Sequence, residues 1–201
     1  MKKLSLLLLG GLLSTAVLAG TPESKTANIA TDLSKVKWTG SKIAYSHTGT
    51  MAVKEGSIMV DGKNITGGKV VMDMTSVKNT DIEDKEKNKQ LIGHLSSPDF
   101  FDIANHPTAT FSITSVKPMT PNEEGHNSTI EGTLTIKGIT NTVSFPAKVA
   151  VGKGKVAAMG KISFDRSKWS IKYGSGSFFD DLGDNLISDT IELDFKIVAP
   201  M

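Results

Sequence analysis

Hydrophobic and polar residues alternate with a period of two along most of this chain. That spacing puts successive side chains on opposite faces of a β-strand. The cleanest run is Ile191-Glu192-Leu193-Asp194-Phe195-Lys196-Ile197, with one wet face and one apolar face. The same alternation predicts strands over 36–45, with a kink at Gly40, and over 55–60, 68–74, 111–116, 127–136, 141–151, 155–166 and 190–198. Asp61-Gly62 followed by Asn64 is strong turn chemistry between two of these runs. About eight strands separated by turn signals predict a β-sandwich or a closed barrel in a single domain.

One stretch breaks the pattern. Thr80-Asp81-Ile82-Glu83 fits a capping box, residues 84–90 are charged and favour helix, and Leu91, Ile92 and Leu95 supply an apolar side. The charge run from Glu83 to Lys89 reads as a solvated helix face. Ser97-Pro98-Asp99 then reads as an N-cap, a proline at the first helical position and an acid near the positive helix end. This predicts a second short helical turn carrying Phe100 and Phe101. Pro107 closes that turn before the alternation resumes at Thr108.

The start of the chain adds a compartment. Lys2 and Lys3 precede an apolar or small run from Leu4 to Leu18, and Val17-Leu18-Ala19 offers a cleavage site. Residues 1–19 are expected to be a secretory signal peptide, the run being shorter than the ~20 residues of a membrane span. Residues 20–34 are expected to form a flexible segment and 35–201 the folded domain. The chain has no cysteine, so an exported form has neither a disulfide nor an acylation site and relies on its core. A domain of this length buries a substantial core. Its 23 basic and 21 acidic residues give a formal charge of +2. Loss of Lys2 and Lys3 balances the two, which leaves no basic stripe for nucleic acid.

Candidate chemistry is sparse. His47, His94, His106 and His126 do not pair at metal-ligand spacing, and Gly174-Ser175-Gly176-Ser177 is a flexible turn rather than a nucleophile elbow. The acidic stretch 180–189 lacks the closing Glu of a calcium-binding loop and reads as a turn. No catalytic residue, metal or cofactor is assigned. What remains is an apolar face on every strand. Alternation points inward Trp38, Ile43, Ile58, Val60, Val70, Met72, Met74, Phe111, Ile113, Leu134, Ile136, Val143, Phe145, Ile162, Phe164, Ile171, Ile191, Leu193, Phe195 and Ile197. Periodicity alone leaves two options: a solid core, or a lined cavity.

The segment His94-Leu95-Ser96-Ser97-Pro98-Asp99-Phe100-Phe101-Asp102-Ile103-Ala104-Asn105-His106-Pro107-Thr108-Ala109-Thr110-Phe111 closely resembles the signature of the YceI-like family. Gly132-Thr133-Leu134-Thr135-Ile136-Lys137-Gly138-Ile139-Thr140-Asn141-Thr142-Val143, Ile162 to Trp169 and Ile191 to Ile197 resemble further hallmarks, in order over roughly 36–198. The resemblance implies an all-β fold with a small helical insertion: a single-domain, antiparallel, lipocalin-like β-barrel of about eight strands. It further implies a periplasmic, non-enzymatic binder of a long-chain isoprenoid or related lipid. The expected ligand-binding set is Trp38, Ile43, Met72, Met74, Leu91, Leu95, Phe100, Phe101, Phe111, Ile113, Leu134, Ile136, Phe145, Phe164, Ile171, Tyr173, Leu193 and Phe195. Leu91, Leu95, Phe100 and Phe101 form either a lid over the ligand or a fixed plug. Lys42, His47, Arg166 and Tyr173 are candidate polar contacts at a mouth. The chain departs from the family at Asn88 to Gly93, where many members carry an Arg-Asp pair, and in a longer, more aromatic stretch from Trp169 to Phe179. The rival readings are an enzyme acting on a quinone- or amide-like lipid, and a ligand-free structural or stress protein. A homodimer and secretion beyond the periplasm stay open.

Overall fold

The computed structural model describes residues 24–201. The expected signal peptide lies outside the described residues. The strands are β1 (Lys25–Asn28), β2 (Lys35–Lys42), β3 (Ser46–Asp61), β4 (Asn64–Asn79), β5 (Thr108–Pro118), β6 (Ser128–Ile136), β7 (Ile139–Gly152), β8 (Lys155–Asp165) and β9 (Ile187–Pro200), with one α-helix, α1 (Lys85–Ser96), between β4 and β5 and two short 3-10 turns, Arg166–Trp169 and Gly183–Asn185, between β8 and β9. All pairings are antiparallel. The sheet runs β1-β3-β2-β9-β8-β7-β6-β5-β4, and pairing of β3 with β4 closes it. β1 pairs with one half of β3 (Lys25 opposite Val60) and β2 with the other (Val36 opposite Met51). These two strands share one position, so the nine strands form a barrel of eight positions, as expected.

Alternation explains the strands. In β6, Ile130, Leu134 and Ile136 are buried while Glu131 is exposed. The turns carry the residues their geometry requires. Lys137 (φ 53°) and Gly138 (φ 75°) join β6 to β7 with positive φ at both central positions, the type I′ arrangement that suits a hairpin's twist.

Several expectations are corrected. The strand expected over 36–45 ends instead at Lys42, and residues 43–45 form the hairpin tip that leads into β3. The register shifts between Gly40 and Lys42, and the Lys42 N–H bonds to the Tyr45 carbonyl at 2.8 Å. Ile43 therefore sits on a hairpin tip, 69% exposed, and does not point inward. The segment 20–34 is not uniformly flexible: β1 lies within it, and Ala27 and Ile29 are buried in the core. Helix α1 is capped by Asp84, which accepts from the Glu86 and Lys87 N–H groups at 3.0 Å, rather than by Thr80. Thr80 still bonds to the Thr48 carbonyl as an extension of β4. Ser97 ends α1 instead of starting a second helix, and residues 98–101 form turns. The turn at Gly174–Ser177 is fastened: Ser175 is fully buried, and its Oγ and that of Ser177 donate to Asp189 at 2.8 and 2.7 Å.

The connections divide by end. The β2–β3 tip, α1 with its following turns, the β6–β7 turn and the long β8–β9 connection gather at one end, called the mouth. The β3–β4, β5–β6 and β7–β8 connections lie at the other, the base, while the β1–β2 connection interrupts the wall beside the middle of β3, where the Ile29 N–H bonds to the Gly56 carbonyl at 2.9 Å.

Candidate functional site

The barrel interior is partly empty. A mouth chamber of about 320 Å³ is lined by residues of β2, β3, β4, α1, β5, β6, β8 and β9 and of the connections that follow α1 and β8. A smaller base chamber of about 80 Å³ is lined only by apolar side chains, among them Ile58, Ile65, Phe145, Ala158 and Ile197. Met72, Leu134 and Leu193 border both chambers and form a waist between them. The inward residues record this void. Ile191, Leu193 and Phe195 are only half-buried, although Glu192 and Asp194 occupy the outer face between them.

The structure brings together most of the expected residues. Trp38, Met74, Leu91, Leu95, Phe100, Phe101, Ile136, Phe164 and Tyr173 line the mouth chamber. Phe111, Ile113, Phe145 and Phe195 line the base chamber. Met72, Leu134 and Leu193 line both. Ile43 lines neither, and Ile171 is wholly buried in the mouth-side core instead of facing the void. Residues outside the expected set also line it, including Met51, Val77, Ala109 and Ile187. Met51 escaped notice because the first half of β3, Ser46 to Thr50, is polar; its partner Val36 in β2 carries the pattern.

Local packing fixes the walls. Trp38 lies over Gly49 and donates its indole N–H to the Lys78 carbonyl at 3.1 Å. A methyl at Gly49 would collide with that indole, so β3 needs glycine there. Trp169 is buried and donates to the Leu134 carbonyl at 3.0 Å, which ties the β8–β9 connection to the waist.

At the rim, the His94 ring meets Phe100 and Tyr173 edge-on, with centroids 4.8 and 4.4 Å away. This aromatic group joins α1 and its following turn to the β8–β9 connection. Histidine in an otherwise apolar helix face was the available signal for it. Helix α1 itself buries no residue fully, and its Leu91 and Leu95 face the chamber.

Arg166 is not a free mouth contact. It is 1% exposed and donates to the carbonyls of Ser188, Ile171, Tyr173 and Ile187 at 2.9–3.0 Å. Its Nη2 lies 3.2 Å from Asp189 Oδ1. Burial draws the guanidinium below its ordinary range, and the Asp189 and Asp165 carboxylates oppose this. The group stays a cation and clamps the β8–β9 connection. His47 is likewise engaged: its Nδ1 lies 2.8 Å from Asp81 Oδ2. Burial alone would raise the Asp81 carboxyl. Hydrogen bonds from His47, the Thr48 N–H and Asn79 outweigh this and hold it below the usual aspartate range. Among the described residues, no three His, Cys, Asp or Glu side chains converge as a metal site.

Residues 28–199 match the YceI-like domain. The chain belongs to the YceI-like family. Protein YceI of Salmonella arizonae is 33% identical over 135 residues, which is 67% of this chain and 65% of that protein. Protein YceI of Salmonella newport matches to the same extent. The match thus spans just under two thirds of these relatives' length. Among solved structures, BcnA of Burkholderia cenocepacia is 26% identical with a TM-score of 0.62, over 85% of this chain and 99% of its own. A polyisoprenoid-binding domain from Saccharophagus degradans, implicated in plant cell wall breakdown, has a TM-score of 0.60 at 16% identity, over 88% of this chain and 99% of its own. The Campylobacter jejuni YceI protein has a TM-score of 0.52 at 17% identity, over 100% and 99%. These last two likenesses speak for the YceI-like fold alone.

Proposed function

We propose that this protein binds a long-chain isoprenoid or related lipid inside the barrel, without chemically converting it, in the periplasm. The observation that carries this reading is the apolar, two-chamber void. Its lining runs along β9 from Ile187 to Ala199. At about 3.3 Å per residue and a strand tilt of about 40°, that is roughly 30 Å along the barrel axis. This is about the thickness of a bilayer's hydrocarbon core. Each methylene removed from water contributes roughly 0.8 kcal/mol. Eight to ten of them supply about 6–8 kcal/mol, against association costs of several kcal/mol. A longer chain binds in such a tunnel with few specific polar contacts. The Met72 and Leu193 side chains at the waist end in rotatable groups, and methionine adapts readily to an irregular ligand. The polyisoprenoid-binding relative of the same fold supports the cargo class. The pattern of residues 1–19 supports export with cleavage after Ala19.

Native mass spectrometry of protein purified from its own cell envelope tests the reading. A co-purifying species in the mass range of a prenyl chain is expected, on a chain whose mass begins after residue 19. The same spectrum reads the homodimer that stays open. No bound species and no uptake of added geranylgeraniol would overturn the cargo assignment. Conversion of that alcohol to a product of different mass would overturn the non-catalytic one.

A further inference from the structure

The large apolar side chains left in water are not scattered evenly. Ile43 (69% exposed) and Tyr45 (50%) sit on the β2–β3 tip, and Tyr173 (46%), Phe178 (45%) and Phe179 (50%) on the β8–β9 connection. The two segments are stitched together: Lys42 pairs with Ile187, whose N–H bonds to the Gly174 carbonyl at 2.8 Å. Tyr45 and Tyr173 also line the mouth chamber, so the exposed patch is continuous with its opening. Two ammonium groups lie at the same rim. Lys42 Nζ is 5.9 Å from the Tyr45 ring centroid, and Lys172 Nζ is 4.7 Å from that of Phe178. Asp180 and Asp181 follow directly on Phe179, and Asp184 lies three residues further on.

We propose that this rim docks the barrel, mouth first, on a phospholipid bilayer. Aromatic rings beside lysines are the side chains that settle at a membrane interface, their apolar bodies among acyl chains and their charges at the head groups. Two protruding tips suit insertion into a fluid surface better than the flat face a folded partner requires. The charges are complementary to a zwitterionic head group: the two lysines meet phosphate and the carboxylates meet ammonium. With both signs present, apolar insertion holds the complex and added salt weakens it little. The surface deepens the lipid-cargo reading and rests on it for its purpose, because a mouth pressed to the bilayer lets a chain pass between acyl layer and tunnel without crossing water.

The test is flotation with vesicles of equal parts phosphatidylethanolamine and phosphatidylcholine, prepared without isoprenoid. The protein is used as isolated from the cell envelope. It should float with the vesicles at low and high salt. Ile43→Asp combined with Phe179→Asp should lower the partition coefficient at least about tenfold. Leu33→Asp, on the β1–β2 connection, and Met59→Asp, beside the β3–β4 turn, alter exposed apolar residues away from the mouth and should leave partition unchanged. All the altered side chains are solvent-exposed, and melting curves check that each variant is folded. Absence of flotation, wild-type flotation by the mouth variant, or an equal loss in the control variants would overturn the proposal. So would a wild-type dimer that the mouth substitutions dissociate. Because the vesicles hold no cargo, docking with neither a prenyl species in the native spectrum nor uptake of added geranylgeraniol would remove the cargo reading alone, and the reverse result would remove only the docking.

Discussion

Leu193 and Ile171 together decide whether the barrel is hollow. Both are aliphatic, and truncating either to alanine removes a comparable volume. Ile171 is wholly buried and lines neither chamber, whereas Leu193 borders both and is half-buried. A packed Leu or Ile cut to alanine costs about 2–5 kcal/mol, by lost transfer energy and by the cavity left behind. Ile171→Ala should fall high in that range, at about 4 kcal/mol. Leu193 already has no neighbours on its void side, so it has fewer contacts to lose. Leu193→Ala should cost about 2 kcal/mol. Urea titration of lipid-stripped protein measures both. The difference of about 2 kcal/mol also separates the melting midpoints by roughly 4–8 °C for a domain of this size. Equal costs, or a larger cost at Leu193, would mean that side chains close around it. The interior would then be solid and the cargo proposal would fail.

Filling the base chamber should shorten the chain that fits. Ala158→Phe is expected to exclude about four methylenes, a loss of roughly 100-fold in affinity for a long prenyl alcohol with little change for a short one, read by fluorescence displacement. Arg166→Met leaves Asp189 without its cation and frees four carbonyls. A loss of about 3–5 kcal/mol and a drop of roughly 10 °C in melting temperature are expected by calorimetry. Acid should loosen the mouth through Asp81. Its folded pKa lies below its unfolded one, so its contribution is present above the ordinary aspartate value of about 4 and is lost as pH falls through the folded value. Urea midpoints taken between about pH 6 and about pH 3 should drop more steeply for the wild type than for Asp81→Asn.

Much of this architecture is legible in the chain because a strand with one wet face must alternate, and β6 and residues 191–197 of β9 do so without interruption. The helix boundary was less so. Thr80 and Asp84 both have helix-starting chemistry, and the choice fell to Asp84 because Thr80 is held by the Thr48 carbonyl across the sheet. Ile43 misled because alternation carries no mark of where a strand folds back, and only the bulge after Gly40 shows it. The void itself has no signature. Leu193 obeys the same period whether it meets a neighbour or empty space, and only its incomplete burial tells the two apart. Arg166 was equally opaque, because its partners are backbone carbonyls as distant as Ser188.

The seam between β2 and β9 joins Lys35–Lys42 to Ile187–Lys196, across almost the whole described chain. Neither edge can be satisfied by anything nearby in sequence. Such long-range pairing makes folding slow, in the millisecond-to-second range rather than microseconds. During synthesis the nascent chain stays an open ribbon until β9 emerges, and a product cut short before Ile187 would present two bare strand edges to its neighbours. The barrel that shelters an oily interior when complete is therefore sticky along both borders until its last plank is laid.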